Sequence, residues 1–224
     1  MVKKSIVVFG GSSEIAIELQ KILIEKKFDF YSLSRSKVDL NLENFTQLND
    51  YMEDYEKIST LFNQIDVTHV IFFNGFLAEN RKEQTPNLSE IKKTDNLNFL
   101  IPYQLSNRLN TDFPKIEKFI YISSMSAIRP RYKNYLYGLS KRKLEESIKH
   151  LNLKSYLIFR FGKIKTKMSE GHKDAPFTMS AEQSAKVILH KLEKTGIVYG
   201  NIGLYIISII IKIIPNFLFK KINL

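Results

Sequence analysis

The sequence contains no cysteine, which excludes disulfides and cysteine-ligated zinc. Its four histidines, His69, His150, His172 and His190, are scattered and form no HExxH-type pair, so no metal site is expected. Lys3 and Lys4 before an apolar run imitate a signal peptide. That run stops at Gly10-Gly11 after about five residues, short of the roughly 7–15 an h-region needs. The segment is read as a first strand and the protein as cytoplasmic. No apolar run reaches the roughly 20 residues that span a bilayer, and no internal repeat or low-complexity linker is present.

The composition is that of a folded protein, 44% hydrophobic and 25% charged, and 224 residues can bury one sizeable core. Lysine and arginine exceed acidic residues by 34 to 23, a net charge of +11. The excess is dispersed and accompanies no zinc-finger or RNP pattern, so a solvated basic surface is expected and no nucleic-acid partner. An anionic membrane surface stays open as a partner.

β-branched runs alternate with helical periodicity along the chain. Strands are expected at Ser5–Phe9, Phe28–Leu33, Val67–Phe73, Ile116–Ser123, Ser155–Phe161 and Gly196–Tyr199. Helices fall between them at Glu14–Lys26, Ser89–Leu109, Tyr132–Leu151 and Ala181–Lys194, with Asn41–Ile65 mainly helical. Parallel strands need crossovers, so the alternation predicts an α/β fold, a single Rossmann-type doubly wound parallel sheet. Composition shifts at Asn201, dividing residues 1–200 from an apolar and basic tail, 201–224.

The first strand runs into VFGGSSEIA, where a doubly wound fold binds phosphate on backbone N–H groups. Gly10 and Gly11 permit a tight turn, and Ser12 and Ser13 can bind a ligand or cap the helix; a capped helix start needs the same residues. At the end of the second strand stand Ser34, Arg35 and Ser36 rather than a carboxylate. An arginine fork there suits the 2′-phosphate of NADP, or is a surface loop residue. Asp39 can accept from an adenine amine or cap the next helix.

YISSMSA closes the fourth expected strand and YLYGLSK enters a helix. Tyr137 and Lys141 are four apart and share a helical face. An ammonium there lowers the phenol's pKa and makes a general acid and base.

From Ser5 to about Tyr199 the chain resembles the short-chain dehydrogenases/reductases. That resemblance implies a catalytic group of Asn96 (in TDNLNFL), Ser124, Tyr137 and Lys141, with NADP(H) as cofactor. It assigns the cofactor Gly10, Ser12, Ser13, Glu14, Ile15, Arg35, Ser36, Asp39, Asn74, Gly75, Tyr137 and Lys141. It adds Gly162, Ile164 and Thr166 from FRFGKIKTKM beside the nicotinamide. The family's spaced glycines map to Gly10, Glu14 and Ala16, so Glu14 brings a carboxylate near the diphosphate. The glycine-poor turn and the C-terminal order resemble one branch, the reductases of decaprenylphosphoryl-2-keto-pentose. The activity implied is reduction of a keto group on a sugar, polyprenyl-phosphate- or nucleotide-linked, in cell-envelope glycan synthesis. The alternatives are a reductase of a small soluble ketone or a non-catalytic NADP-binding regulator.

Ile202–Ile211 is apolar but for Gly203 and Ser208, before Lys212, Pro215 and a stretch with Phe217, Leu218, Phe219, Lys220 and Lys221. It suits an interfacial anchor at the inner face of the membrane. It equally suits a helix buried over the core or at a homo-oligomer interface.

Overall fold

The computed structural model describes residues 5–38, 40–78, 85–171 and 173–219. Asp39, Lys220 and Lys221 lie outside the described residues. Seven parallel strands form one sheet in the order β3-β2-β1-β4-β5-β6-β9. They are β1 (Ser5–Phe9), β2 (Asp29–Ser34), β3 (Phe45–Gln47), β4 (His69–Phe72), β5 (Lys118–Ser124), β6 (Tyr156–Phe161) and β9 (Gly196–Tyr199). Two-residue strands β7 (Ile164–Lys165) and β8 (Met179–Ser180) pair in an excursion after β6.

The sheet alternates by residue. Val7, Phe9, Val70, Phe72, Phe119 and Tyr121 pack against α2 (Tyr55–Gln64), α4 (Ile101–Asp112) and α5 (Tyr135–Ile148). Ile6, Val8, Ile71, Ile120 and Phe159 pack against α1 (Glu14–Glu25) and α6 (Ala181–His190). Both faces are therefore covered, which is why the strands read as continuous apolar runs.

The expected helical stretch Asn41–Ile65 needs correction. It contains β3 as well as α2. With only three residues, FTQ, half-buried at the sheet's edge, β3 leaves no hydrophobic signature in a polar segment. The expected helix from Ser89 is α3 (Leu88–Asp95) and α4 joined by a π-helical turn, Asn96–Leu100.

The tail forms α7 (Ile202–Ile213) and the short α8 (Asn216–Phe219). Among the described residues, no helix is long and apolar enough to cross a membrane. α7 buries Gly203, Leu204 and Ser208 against the body. Arg129 holds its other end, donating to Ile214 O at 2.6 Å and Ile211 O at 3.2 Å, bonding Asn216 and lying 4.1 Å over the Phe219 ring.

Candidate active site

Strand order reverses between β1 and β4, and ligands of open α/β sheets bind in the crevice beyond such a switch point. Gly10 closes β1 with φ +75°, a left-handed backbone that favours glycine. A Cβ on Gly10 would stand 2.9 Å from Asn74 N, and one on Gly11 only 2.0 Å from Ser32 Oγ. These two glycines are the ones the turn requires. Both N–H groups donate to Leu33 O, at 2.9 and 3.2 Å, and buried Gln20 donates to Gly11 O at 2.8 Å.

Ser13 occupies the N-cap of α1, yet its side chain makes no cap hydrogen bond. The first-turn N–H groups of Glu14 and Ile15 thus remain donors at the positive end of the helix, beside half-buried Ser12. Among the described residues, three buried polar atoms near this turn lack hydrogen-bond partners: Gln20 Oε1, Ser32 Oγ and Asn74 Oδ1. Such atoms are rare in folded proteins. Gln20 Oε1 and Asn74 Oδ1 can only accept, so they fit a ligand that donates from hydroxyls, while the free first-turn N–H groups fit its phosphates.

Arg35 and Ser36 are exposed at the end of β2. The Arg35 guanidinium stands 5.8 Å from the centre of the Tyr51 ring, and among the described residues no carboxylate pairs with it. Tyr51 itself carries no signal in the sequence. Its buried hydroxyl is pushed up in pKa by desolvation, opposed by the Arg35 charge and by hydrogen bonds with Asn74, Arg35 and Gly10. Only the fold brings it to the turn.

The carboxylate of Glu14 does not turn toward α1. Its Oε2 accepts from Lys167 N at 2.7 Å, bridging the phosphate turn to the segment after β6. In that segment Ile164 lies in β7, Thr166 caps a short 3₁₀ turn, and Gly162 faces α7. A Cβ on Gly162 would approach Leu204 Cδ2 to 3.0 Å.

Ser124 ends β5, and α5 carries Tyr137 and Lys141 toward it. Ser124 lies near enough to the Tyr137 hydroxyl to pull its pKa down. Lys141 is 4% exposed; its Nζ donates to Ile122 O at 2.9 Å and lies 5.9 Å from the Tyr137 ring centre. The expected lowering of the phenol does not occur in this state. Desolvation pushes Tyr137 up to about 12 against the opposing effect of Ser124. Burial also draws Lys141 down to about 8, against the opposing charge of Glu145.

Asn96 is the second correction. It is exposed at the C-cap of α3, whereas Asn98, two residues on in the π-helical turn, is fully buried. Asn98 Nδ2 donates to Phe76 O at 2.7 Å and Thr94 O at 2.9 Å, and Oδ1 accepts from Phe76 N at 3.2 Å. A Cβ built on Gly75 would lie 3.3 Å from Asn98 Oδ1 and 4.0 Å from Lys141 Nζ. The asparagine beside the lysine is therefore Asn98. The π turn rotates it inward where an uninterrupted α-helix would change the facing.

No family model and no curated protein matches the sequence. Solved structures do. A short-chain dehydrogenase from Burkholderia cenocepacia, in complex with NADP, superimposes with TM-score 0.73 at 14% identity, covering 95% of this chain and 98% of its own. A 4-hydroxyisoleucine dehydrogenase complexed with NADH gives 0.70 at 17% identity, with 88% and 97% covered. The ligand-free aldohexose dehydrogenase of Thermoplasma acidophilum gives 0.72 at 14% identity, with 91% and 94% covered. At such identities the shared property is architecture: the chain folds as short-chain dehydrogenases/reductases do.

Proposed function

We propose that the chain is an NADP(H)-dependent carbonyl reductase, and the observation that carries this is half-buried Tyr137 beside Ser124 with buried Lys141 one turn away. The free N–H groups of the turn after β1 fit the diphosphate of a dinucleotide, its unpartnered acceptors fit ribose hydroxyls, and Arg35 fits a 2′-phosphate. Gly10, Ser12, Ser13, Glu14, Ile15, Asn74 and Gly75 would border the diphosphate and its ribose, with Arg35 and Ser36 at the adenosine end. Gly162, Ile164 and Thr166 would line the nicotinamide end. The bound cofactor supplies a hydride to the carbonyl carbon.

The chain's own residues then handle the oxygen. Ser124 orients the carbonyl by hydrogen bonding. Tyr137 stays protonated well above neutrality, as a proton donor to a developing alkoxide must. Lys141, fixed by the Ile122 carbonyl, offers its remaining N–H groups to the ribose and stabilises the phenolate left after transfer. Asn98 holds the Gly75–Phe76 backbone against this lysine. The preferred substrate is a keto-sugar, polyprenyl-phosphate- or nucleotide-linked; the aldohexose dehydrogenase is a sugar-acting neighbour of the same architecture.

The tail supports attachment to a membrane from the cytoplasmic side. α7 exposes Ile202, Ile206, Ile209, Ile210 and Ile213, and Phe217 follows on α8. No acidic residue occurs from Lys194 to Leu224. Such a face, apolar and acid-free, matches an anionic bilayer surface.

Tyr137→Phe tests the chemistry. It should bind NADPH as the wild type does and lose turnover of a keto-sugar by about 10²–10⁴-fold. Undiminished turnover would rule the mechanism out.

A further inference from the structure

Beside the candidate catalytic pair lies a buried charged cluster that the proposed chemistry leaves unused. Glu145, one helical turn beyond Lys141 on α5, is 2% exposed. Its Oε1 accepts from Ser123 Oγ at 2.6 Å and from Arg160 Nε at 3.0 Å. Arg160 Nη2 pairs with Oε2 as well. Arg160, on β6, also donates to the Tyr199 hydroxyl at 3.1 Å.

Removing two charges from water is costly, and packed apolar residues often serve stability as well or better. The location of the cluster suggests another role. Ser123 stands between Ile122, whose carbonyl holds Lys141, and Ser124, which neighbours the Tyr137 hydroxyl. We infer that Glu145 is a positioning residue for the Tyr137–Lys141 pair, anchoring the end of β5 through Ser123 and facing Lys141 with a buried negative charge. The inference rests on the reductase reading only for the use to which the pair is put.

Among the described residues, the groups around Lys141 are few. The Ile122 carbonyl approaches from β5, Tyr137 from its own helix, and Asn98 from the π turn across Gly75. Asp95, from α3, is bonded instead by Lys143 at 3.0 Å. Glu145 is the charge that opposes the lowering of Lys141 by burial, and Arg160 stands behind it. A carboxylate within about 4–6 Å of an ammonium favours its charged form. Neutralising Glu145 should therefore let Lys141 deprotonate at still lower pH.

The test uses the full chain labelled with ¹³C-lysine and follows side-chain Cε signals with pH. Lys141 is identified by the signal lost in Lys141→Arg, and should titrate near 8 rather than near the ordinary 10.5. In Glu145→Gln that midpoint should fall by about one pH unit, and the alkaline loss of NADPH affinity should move with it. Glu146→Gln, at an exposed neighbouring position, should change neither. Should Glu145→Gln fail to fold, Ser123→Ala removes one oxygen and leaves the Glu145–Arg160 pair intact. It should weaken NADPH binding by about three- to tenfold, the loss of one charge-assisted hydrogen bond's positioning. A folded Glu145→Gln with an unmoved midpoint overturns the inference, as does Ser123→Ala with wild-type affinity where Glu145→Gln does not fold. A wild type that binds no NADPH sinks the reductase reading instead, whatever the midpoints do.

Discussion

Replacing Asn98 by alanine should damage the protein far more than replacing Asn96, two residues earlier in the same polar stretch. Asn98 is fully buried and makes three hydrogen bonds, two to carbonyls at 2.7 and 2.9 Å and one from Phe76 N at 3.2 Å. Each contributes about 0.5–1.5 kcal/mol net, so the alanine variant loses about 1.5–4.5 kcal/mol. In a chain of 224 residues, about 1 kcal/mol moves Tm by about 2–4 °C. A central loss of about 3 kcal/mol thus lowers Tm by roughly 6–12 °C. Asn96 is exposed, and alanine there should stay within about 0.5 kcal/mol of wild type. Thermal unfolding of both variants measures the first difference and fluorescence titration with NADPH a second. Asn98→Ala should bind more weakly, because Gly75 would no longer be held beside Lys141. An Asn98→Ala protein with wild-type Tm and affinity, or an Asn96→Ala protein that is the worse of the two, would refute the reasoning.

Three further outcomes are expected. Arg35→Ala should lose about 10–100-fold in NADPH affinity and little in NADH affinity, since a charge-assisted contact contributes about 1.5–3 kcal/mol; equal wild-type affinities for the two cofactors would contradict it. Lys141 titrates near 8 when folded against 10.5 as its ordinary value, so between these the unfolded chain binds more protons and this residue's contribution to stability rises with pH. Urea midpoints of wild type should therefore gain on those of Lys141→Met from about pH 7.5 to 9.5, and parallel changes would refute this. The wild type should sediment with anionic liposomes, with added salt weakening binding only partly, and Ile206→Asp/Ile213→Asp should abolish it. A wild type left in the supernatant removes the membrane reading.

Residues alone reveal whatever depends on local spacing. Tyr137 and Lys141 share a face because they are four apart, and Gly10-Gly11 after a β-branched run marks the turn; both hold in the structure. Asn96 and Asn98 illustrate the limit. Both are polar residues entering one helix, and the side buried depends on a π turn that has no sequence signature. β3 escapes detection because three edge residues carry no periodicity. Tyr51 at the turn, Glu14 against Lys167, and Glu145 with Arg160 join residues distant in sequence or on separate elements. Such contacts arise from strand order, which spacing does not encode.

The Arg129 clasp has a consequence for how the protein is made. Synthesis proceeds from the N-terminus, and structure forms in that order where it can. Ser124, Arg129, Tyr137 and Lys141 all leave the ribosome before α7. Until α7 emerges, the segment between the serine and the tyrosine lacks the carbonyls of Ile211 and Ile214 that Arg129 later binds. A nascent chain would thus carry all the proposed catalytic side chains while the segment between Ser124 and Tyr137 waited for its brace. If the proposed function holds, competence would arrive with the tail, and a ribosome stalled before it would display the fold without its clasp.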